Sequence, residues 1–266
     1  MRTLPDFVLA YVAAAAGLSL VWLAVRDRPE SAAYGWAAPR VAAVRVWVSR
    51  APATFVYMAI WTATSILAQG QPLTVSELVA RYASTNLFNF HSEPFRTLIA
   101  SSFLVAENGL FYPVYVAAFV LVAARLEHRV GAARWLAVAV VAHVGGSLII
   151  LAFERIAIRG ELLPPTVAIT EDIGVSYVLA GTMGAYAWLV RRRWAYAGLL
   201  VLGFVVPLIL WPGLGSAGHL IAAALGLLTG RLVIRWPLRP PVVWRTLTSV
   251  AAGGSGPSGP PAIPAL

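Results

Sequence analysis

Apolar residues recur along this chain in runs close to the ~20 residues that cross a bilayer as a helix. Seven such runs are legible: Phe7–Val25, Pro52–Ala68, Gly109–Ala124, Trp135–Phe153, Ile173–Val190, Ala195–Trp211 and Ser216–Ile234. A helix satisfies its own backbone hydrogen bonds where hydrocarbon offers none. The pattern therefore predicts an all-α polytopic membrane protein. The stretch Gln69–Asn108 breaks the rhythm: it is too apolar for a hydrated linker and too interrupted to span. Short re-entrant or interfacial helices are expected there, because irregular backbone at membrane depth must be covered by protein or face water. Pro29–Pro39 reads as a cytoplasmic linker, and the Gly/Ser/Pro-rich residues Ala251–Leu266 as a disordered tail. The expected division is an N-terminal transmembrane helix with its linker (1–43), a membrane core (44–236) and a cytoplasmic tail (237–266).

Composition sharpens this picture. The chain is 59% hydrophobic and 12% charged, against about 25% charged in soluble domains, which excludes a large water-solvated fold. Cysteine is absent, so disulfides and thiolate metal sites are excluded. All twenty basic residues are arginine, and the Ala/Gly/Arg/Pro bias suggests a GC-rich bacterial genome. Fifteen arginines fall in one set of inter-span segments, among them Arg26, Arg45, Arg125, Arg134, Arg192 and Arg235. The opposite set holds only Arg2, Arg81, Arg96, Arg155 and Arg159. The positive-inside rule then predicts an outer N-terminus, a cytoplasmic C-terminus and an odd number of spans in a bacterial plasma membrane. Because the net charge of +9 divides by membrane side, it does not describe a nucleic-acid face. The first run is longer than a signal-peptide core, has Asp6 before it and is followed at once by Arg26; it reads as a retained anchor rather than a cleaved signal. Trp135, Trp194, Trp211 and Trp236 are expected to form an interfacial aromatic belt, and Arg191–Arg193 to face anionic lipid.

Candidate chemistry lies at the outer ends of two runs. Ser176 and His219 each stand about three residues, or roughly 5 Å, inside their helices. Ser176, Ala180 and Gly184 share one helix face, and His219, Ala223, Gly226 and Gly230 share another. Small residues at such spacing let membrane helices approach closely. Close approach would let His219 act as general base to a Ser176 nucleophile. Free N–H groups at a helix N-terminus would favour the developing negative charge.

These residues carry a resemblance. Gly174, Ser176, Gly181 and Gly184 are similar to the nucleophile helix of the rhomboid family of intramembrane serine proteases, and His219, Gly226 and Gly230 to its histidine helix. Phe95-Arg96 with Phe103 looks like the family's outer-loop Trp-Arg stretch. Glu127, Gly131 and Arg134 look like its Glu-x-x-x-Gly-x-x-Arg turn. The resemblance runs from Val44 to Ile234. It implies a six-helix core preceded by one added helix, and a Ser176/His219 dyad that cleaves transmembrane substrates without metal or cofactor. The glycines Gly174, Gly181, Gly184, Gly226 and Gly230 would serve helix packing. Two departures fall on the chemistry. Tyr177 stands where the family has glycine, and the His/Asn pair that binds the oxyanion has no counterpart in register. Asn108, Tyr112 and Tyr115 are the available substitutes. An inactive relative that binds transmembrane clients is the alternative reading. A transporter is disfavoured because the spans carry few ionisable residues near the midplane.

The remaining histidines are expected to be structural. His143, counted about 10 Å deeper than Ser176, reads as a packing hydrogen bond. His91 and Glu93 read as solvated loop residues, being too few for a metal site, and His128 as a solvated residue in a cytoplasmic turn.

Overall fold

A computed structural model describes residues 4–69, 73–105 and 112–240. The described chain is helical, with no strand among these residues. Its helices are α1 (Leu4–Arg26), α2 (Ala32–Ser49), α3 (Pro52–Gln69), α4 (Leu73–Ala83), α5 (Leu87–Ser92) and α6 (Pro94–Ser101). After them come α7 (112–130), α8 (Ala132–Arg159), α9 (Val175–Tyr186), α10 (Arg193–Leu210) and α11 (Leu214–Val233). One π-type turn interrupts each of α7, α8 and α10, at Phe119–Ala123, Val141–Gly145 and Val201–Val205. Each apolar run has a helix over most of its described residues. Among the described residues, α8, α10 and α11 are long and apolar enough to cross a membrane alone. The α2–α3 pair, bent by 87°, would be a fourth if counted as one span.

The segment expected to be a linker is helical from Ala32. Ser31 caps it, accepting the Tyr34 N–H at 3.1 Å, and its alanine-rich sequence outweighs the single internal Pro39. This helix runs across the expected boundary at residue 43. Its far end buries Ala43 and Trp47.

Glu127 shows why the α7–α8 turn is built as it is. Its buried carboxylate accepts the Ala53 N–H at 3.0 Å and the Thr54 N–H at 2.7 Å. A carboxylate satisfies otherwise orphaned N–H groups at a helix start and matches the helix dipole. Gly131 follows with φ +88°, where a side chain would be strained and would also meet Arg239. Arg134 donates to Pro237 O at 3.2 Å, so the turn also holds the chain leaving α11. His128 corrects its expected solvated role: it is buried, its Nε2–H donates to Trp47 O at 2.8 Å, and the Trp47 ring meets it edge-on. The end of α2 covers it. Trp135 likewise belongs to no interfacial belt. It is fully buried in a cluster with Tyr57, Trp61 and Phe119, whereas Trp194, Trp211 and Trp236 are exposed.

The stretch after α3 forms the short helices α4 to α6 that its interrupted pattern predicts. One polar stripe of α3 pins the end of this outer cover. Tyr57 Oη donates to Ser102 O, Thr64 Oγ1 to Phe103 O, and Ser65 Oγ accepts the Val105 N–H at 3.1 Å. Arg96 is clamped between Glu93, the Tyr82 carbonyl and the Tyr82 ring, 3.5 Å from its centroid.

Candidate active site

The site is built on the seam between α9 and α11, the most extensive helix contact in the molecule. A Cβ on Gly226 would stand 1.9 Å from Gly181 O, and one on Gly184 would stand 2.0 Å from Ala223 O. Gly230 packs on Ala185, and Gly181 also faces Ala142 of α8. Only glycine permits this backbone-to-backbone approach.

The seam brings Ser176 and His219 to one cavity of about 230 Å³, whose wall includes Tyr115, Met183 and Phe204. Ser176 Oγ donates to Ile173 O at 3.3 Å, and no hydrogen bond joins it to His219. Tyr177, the departure beside Ser176, packs against His219. Its ring meets the His219 ring edge-on, with centroids 5.4 Å apart at 84°. Its hydroxyl lies over Gly218, where a Cβ would be only 1.7 Å away. A tyrosine after Ser176 and a glycine before His219 are thus one interlocking feature, which was legible in the sequence only as a mismatch. A larger cavity of about 1290 Å³ lies between α3, α4 and the outer cover. Leu67, Val75, Leu78 and Phe103 line it and no nucleophile–base pair faces it, so the smaller cavity is the candidate site.

Of the two oxyanion substitutes among the described residues, Tyr115 lines this cavity. Tyr112 is buried beside Trp61, its hydroxyl 3.0 Å from Thr62 Oγ1. Asn108 lies outside the described residues.

His143 corrects its expected depth. A Cβ on Gly174 would stand 2.1 Å from the His143 ring, so this histidine lies level with the residue that opens α9. The reason is that α8 runs on to Arg159 while α9 begins only at Val175, recessed beneath the outer cover. The packing hydrogen bond is present: His143 Nε2–H donates to Leu98 O at 2.8 Å, with Ser101 Oγ at 3.3 Å. The outer cover and the start of α9 are stitched further by Gly174 N–H to Ser101 O at 2.9 Å, Thr85 N–H to Asp172 O at 2.9 Å and Asp172 N–H to Ser84 Oγ at 2.7 Å. Burial pushes the Asp172 carboxyl up to about 6, and the nearby Tyr177 and Thr85 hydroxyls offset this only in part. His91 is exposed, and Glu93 pairs with Arg96. No group of three metal-ligating side chains occurs among the described residues.

Fold and site together define a multi-pass helical membrane protein with a small-residue seam between a serine helix and a histidine helix. A family model described as rhomboid-like protein matches residues 46–236, and the chain belongs to that family. No curated protein and no solved structure matches it.

Proposed function

We propose that this chain is an intramembrane serine endopeptidase of rhomboid type, acting on transmembrane proteins near the outer membrane face. The observation that carries the reading is the shared cavity of Ser176 and His219, with Tyr177 against the base. In the proposed reaction His219 takes the Ser176 proton as the oxygen attacks a peptide carbonyl. The tetrahedral intermediate collapses to an acyl-enzyme while His219 protonates the leaving amine. Water, deprotonated by His219, then releases the carboxylate product and restores the serine. Free N–H groups at the start of α9 and the Tyr115 hydroxyl are the proposed donors to the oxyanion. A single donor of this kind is worth about 2.7–4 kcal/mol of barrier. The arginine asymmetry supports an outer N-terminus, a cytoplasmic C-terminus and a plasma-membrane location.

One observation favours a second reading, a non-catalytic relative that binds transmembrane clients. Ser176 Oγ is turned to Ile173 O rather than to His219. Labelling of the full chain in liposomes with a fluorophosphonate probe separates the two. The protease reading expects wild-type labelling that Ser176→Ala and His219→Ala both abolish. Folded wild-type protein that does not label leaves client binding as the function.

A further inference from the structure

A second chamber, of about 690 Å³, is walled in part by the start of α11. Three acidic residues line it: Glu171, which pairs with Arg81 at 3.5 Å, and the two carboxyl groups Glu154 and Asp172. Glu154 projects from the apolar helix α8; the residue is 3% exposed, and its Oε1 has no hydrogen-bond partner. Asp172 comes from the segment leading into α9, and its carboxylate is reached by Thr85 Oγ1 at a long 3.4 Å. The ion pairs among the described residues are Arg26–Asp27, Arg81–Glu171 and Arg96–Glu93, so neither Glu154 nor Asp172 has a basic partner among them. The rest of the wall is largely aliphatic, with Ile150, Leu208 and Leu214 among its residues.

An unpaired carboxylate buried in a membrane helix is costly and marks a functional position. A positive charge in the chamber would offset that cost. A calcium ion takes six to eight oxygens and magnesium a near-octahedral set, but no group of three ligating side chains stands here. A guanidinium or ammonium on an alkyl stem fits both halves of the chamber. Its head would meet the two carboxylates through charge-assisted hydrogen bonds, and its stem would lie along the aliphatic wall. The chamber also adjoins the reacting groups along the chain. Asp172 lies four residues before Ser176, and Ala217, in the chamber wall, lies two before His219.

We propose that this chamber is a subsite for a basic side chain, arginine or lysine, of the transmembrane protein that the site engages. The proposal rests on the reading of the serine cavity as a substrate or client site. The chain itself contains no lysine, and Arg81 is engaged by Glu171 of the chamber wall, so on this reading the charge for Glu154 and Asp172 comes from the other protein.

The test uses the full chain in nanodiscs with pentylguanidinium as probe and pentylurea as its neutral counterpart. Pentylguanidinium is expected to bind saturably and raise the unfolding temperature, and pentylurea to do neither. Glu154→Gln and Asp172→Asn are each expected to weaken binding at least tenfold while the protein elutes as wild type on size exclusion. A single-span peptide with arginine near its outer end should displace the probe, and its leucine counterpart should not. Absence of saturable binding, equal binding of the urea, or affinity unchanged in Glu154→Gln would overturn the proposal. So would failure of the arginine peptide to compete, or equal stabilisation by sodium or calcium chloride, which would assign the chamber to an inorganic cation. Binding is read without turnover, so the outcomes separate. Probe binding without fluorophosphonate labelling removes the protease reading alone, and labelling without probe binding removes the subsite alone.

Discussion

Helices α9 and α11 meet backbone to backbone, whereas α10, which joins them in sequence, lies against the bundle with its whole apolar window unburied. The two regions have similar composition, being rich in Leu, Val, Ala and Gly. Their glycines differ in what surrounds them. Gly184 and Gly226 face a neighbouring backbone within 2.0 Å of a would-be Cβ, while Gly198 and Gly203 of α10 have nothing within 4 Å. The seam fixes the relative positions of Ser176 and His219. In contrast, α10 contributes Phe204 to the cavity wall from a loosely held helix. A protease of the proposed kind calls for such a combination of a rigid pair and a yielding wall, since a transmembrane substrate would reach the site sideways from lipid.

The largest effect is expected at the seam. Gly226→Val forces apart two backbones that cannot relax, and should cost about 3 kcal/mol or more and abolish fluorophosphonate labelling. Gly203→Val on α10 should change stability by less than about 1 kcal/mol. Unfolding of both variants in mixed micelles measures the contrast, and equal losses would break it.

The next effect comes from Asp172, held at the recessed start of α9 and facing Glu154, Thr85 and Tyr177. A carboxyl raised to about 6 in the folded protein binds its proton more tightly there than when unfolded. Its contribution to stability is therefore fully present below pH 4 and is lost as the pH rises through 6. A shift of this size corresponds to on the order of 3 kcal/mol. Unfolding at pH 4.5 and pH 7 should show wild type weakening with pH, and Asp172→Asn weakening much less. An identical slope in both would remove Asp172 as the cause.

Tyr177 sharpens the comparison within the rigid pair. An edge-to-face ring contact is worth about 0.5–1.5 kcal/mol, so Tyr177→Ala should slow labelling by up to about tenfold. Tyr177→Phe keeps the ring and should stay near wild type. If both substitutions act alike, the contact that matters is the hydroxyl.

The smallest effect on stability is expected at Phe204. Phe204→Ala on α10 should cost no more than about 1 kcal/mol and speed labelling by bulkier phosphonates several-fold. A bulky probe that labels no faster would show that α10 does not limit access.

The spacing of small residues was legible because a helix face is a local property. Ser176, Ala180 and Gly184, or His219, Ala223 and Gly226, align by the 3.6-residue period alone. The Glu127–Gly131–Arg134 turn was legible only through its family resemblance, and the structure supplies the reasons: a positive φ at Gly131 and a carboxylate that caps the start of α3. Other features depended on what lies opposite. His128 and Trp135 look like ordinary boundary residues in the sequence and are buried because α2 and α3 pack over them. His143 was counted too deep because residue number measures rise along one helix and says nothing of the axial offset between two. Asp172 and Glu154 lie eighteen residues apart, on either side of the turn after α8, and no periodicity predicts that they face one another.

The sequence by itself determined that this is an all-helical membrane protein and which small-residue faces of α9 and α11 are able to meet. Each follows from hydropathy or side-chain size along one helix at a time. Only the tertiary structure decided that α9 is recessed, that Tyr177 packs on His219 over Gly218, and that Glu154 and Asp172 share one chamber. These depend on the offset and rotation of packed helices, which the summed contacts of the bundle set and no single segment encodes.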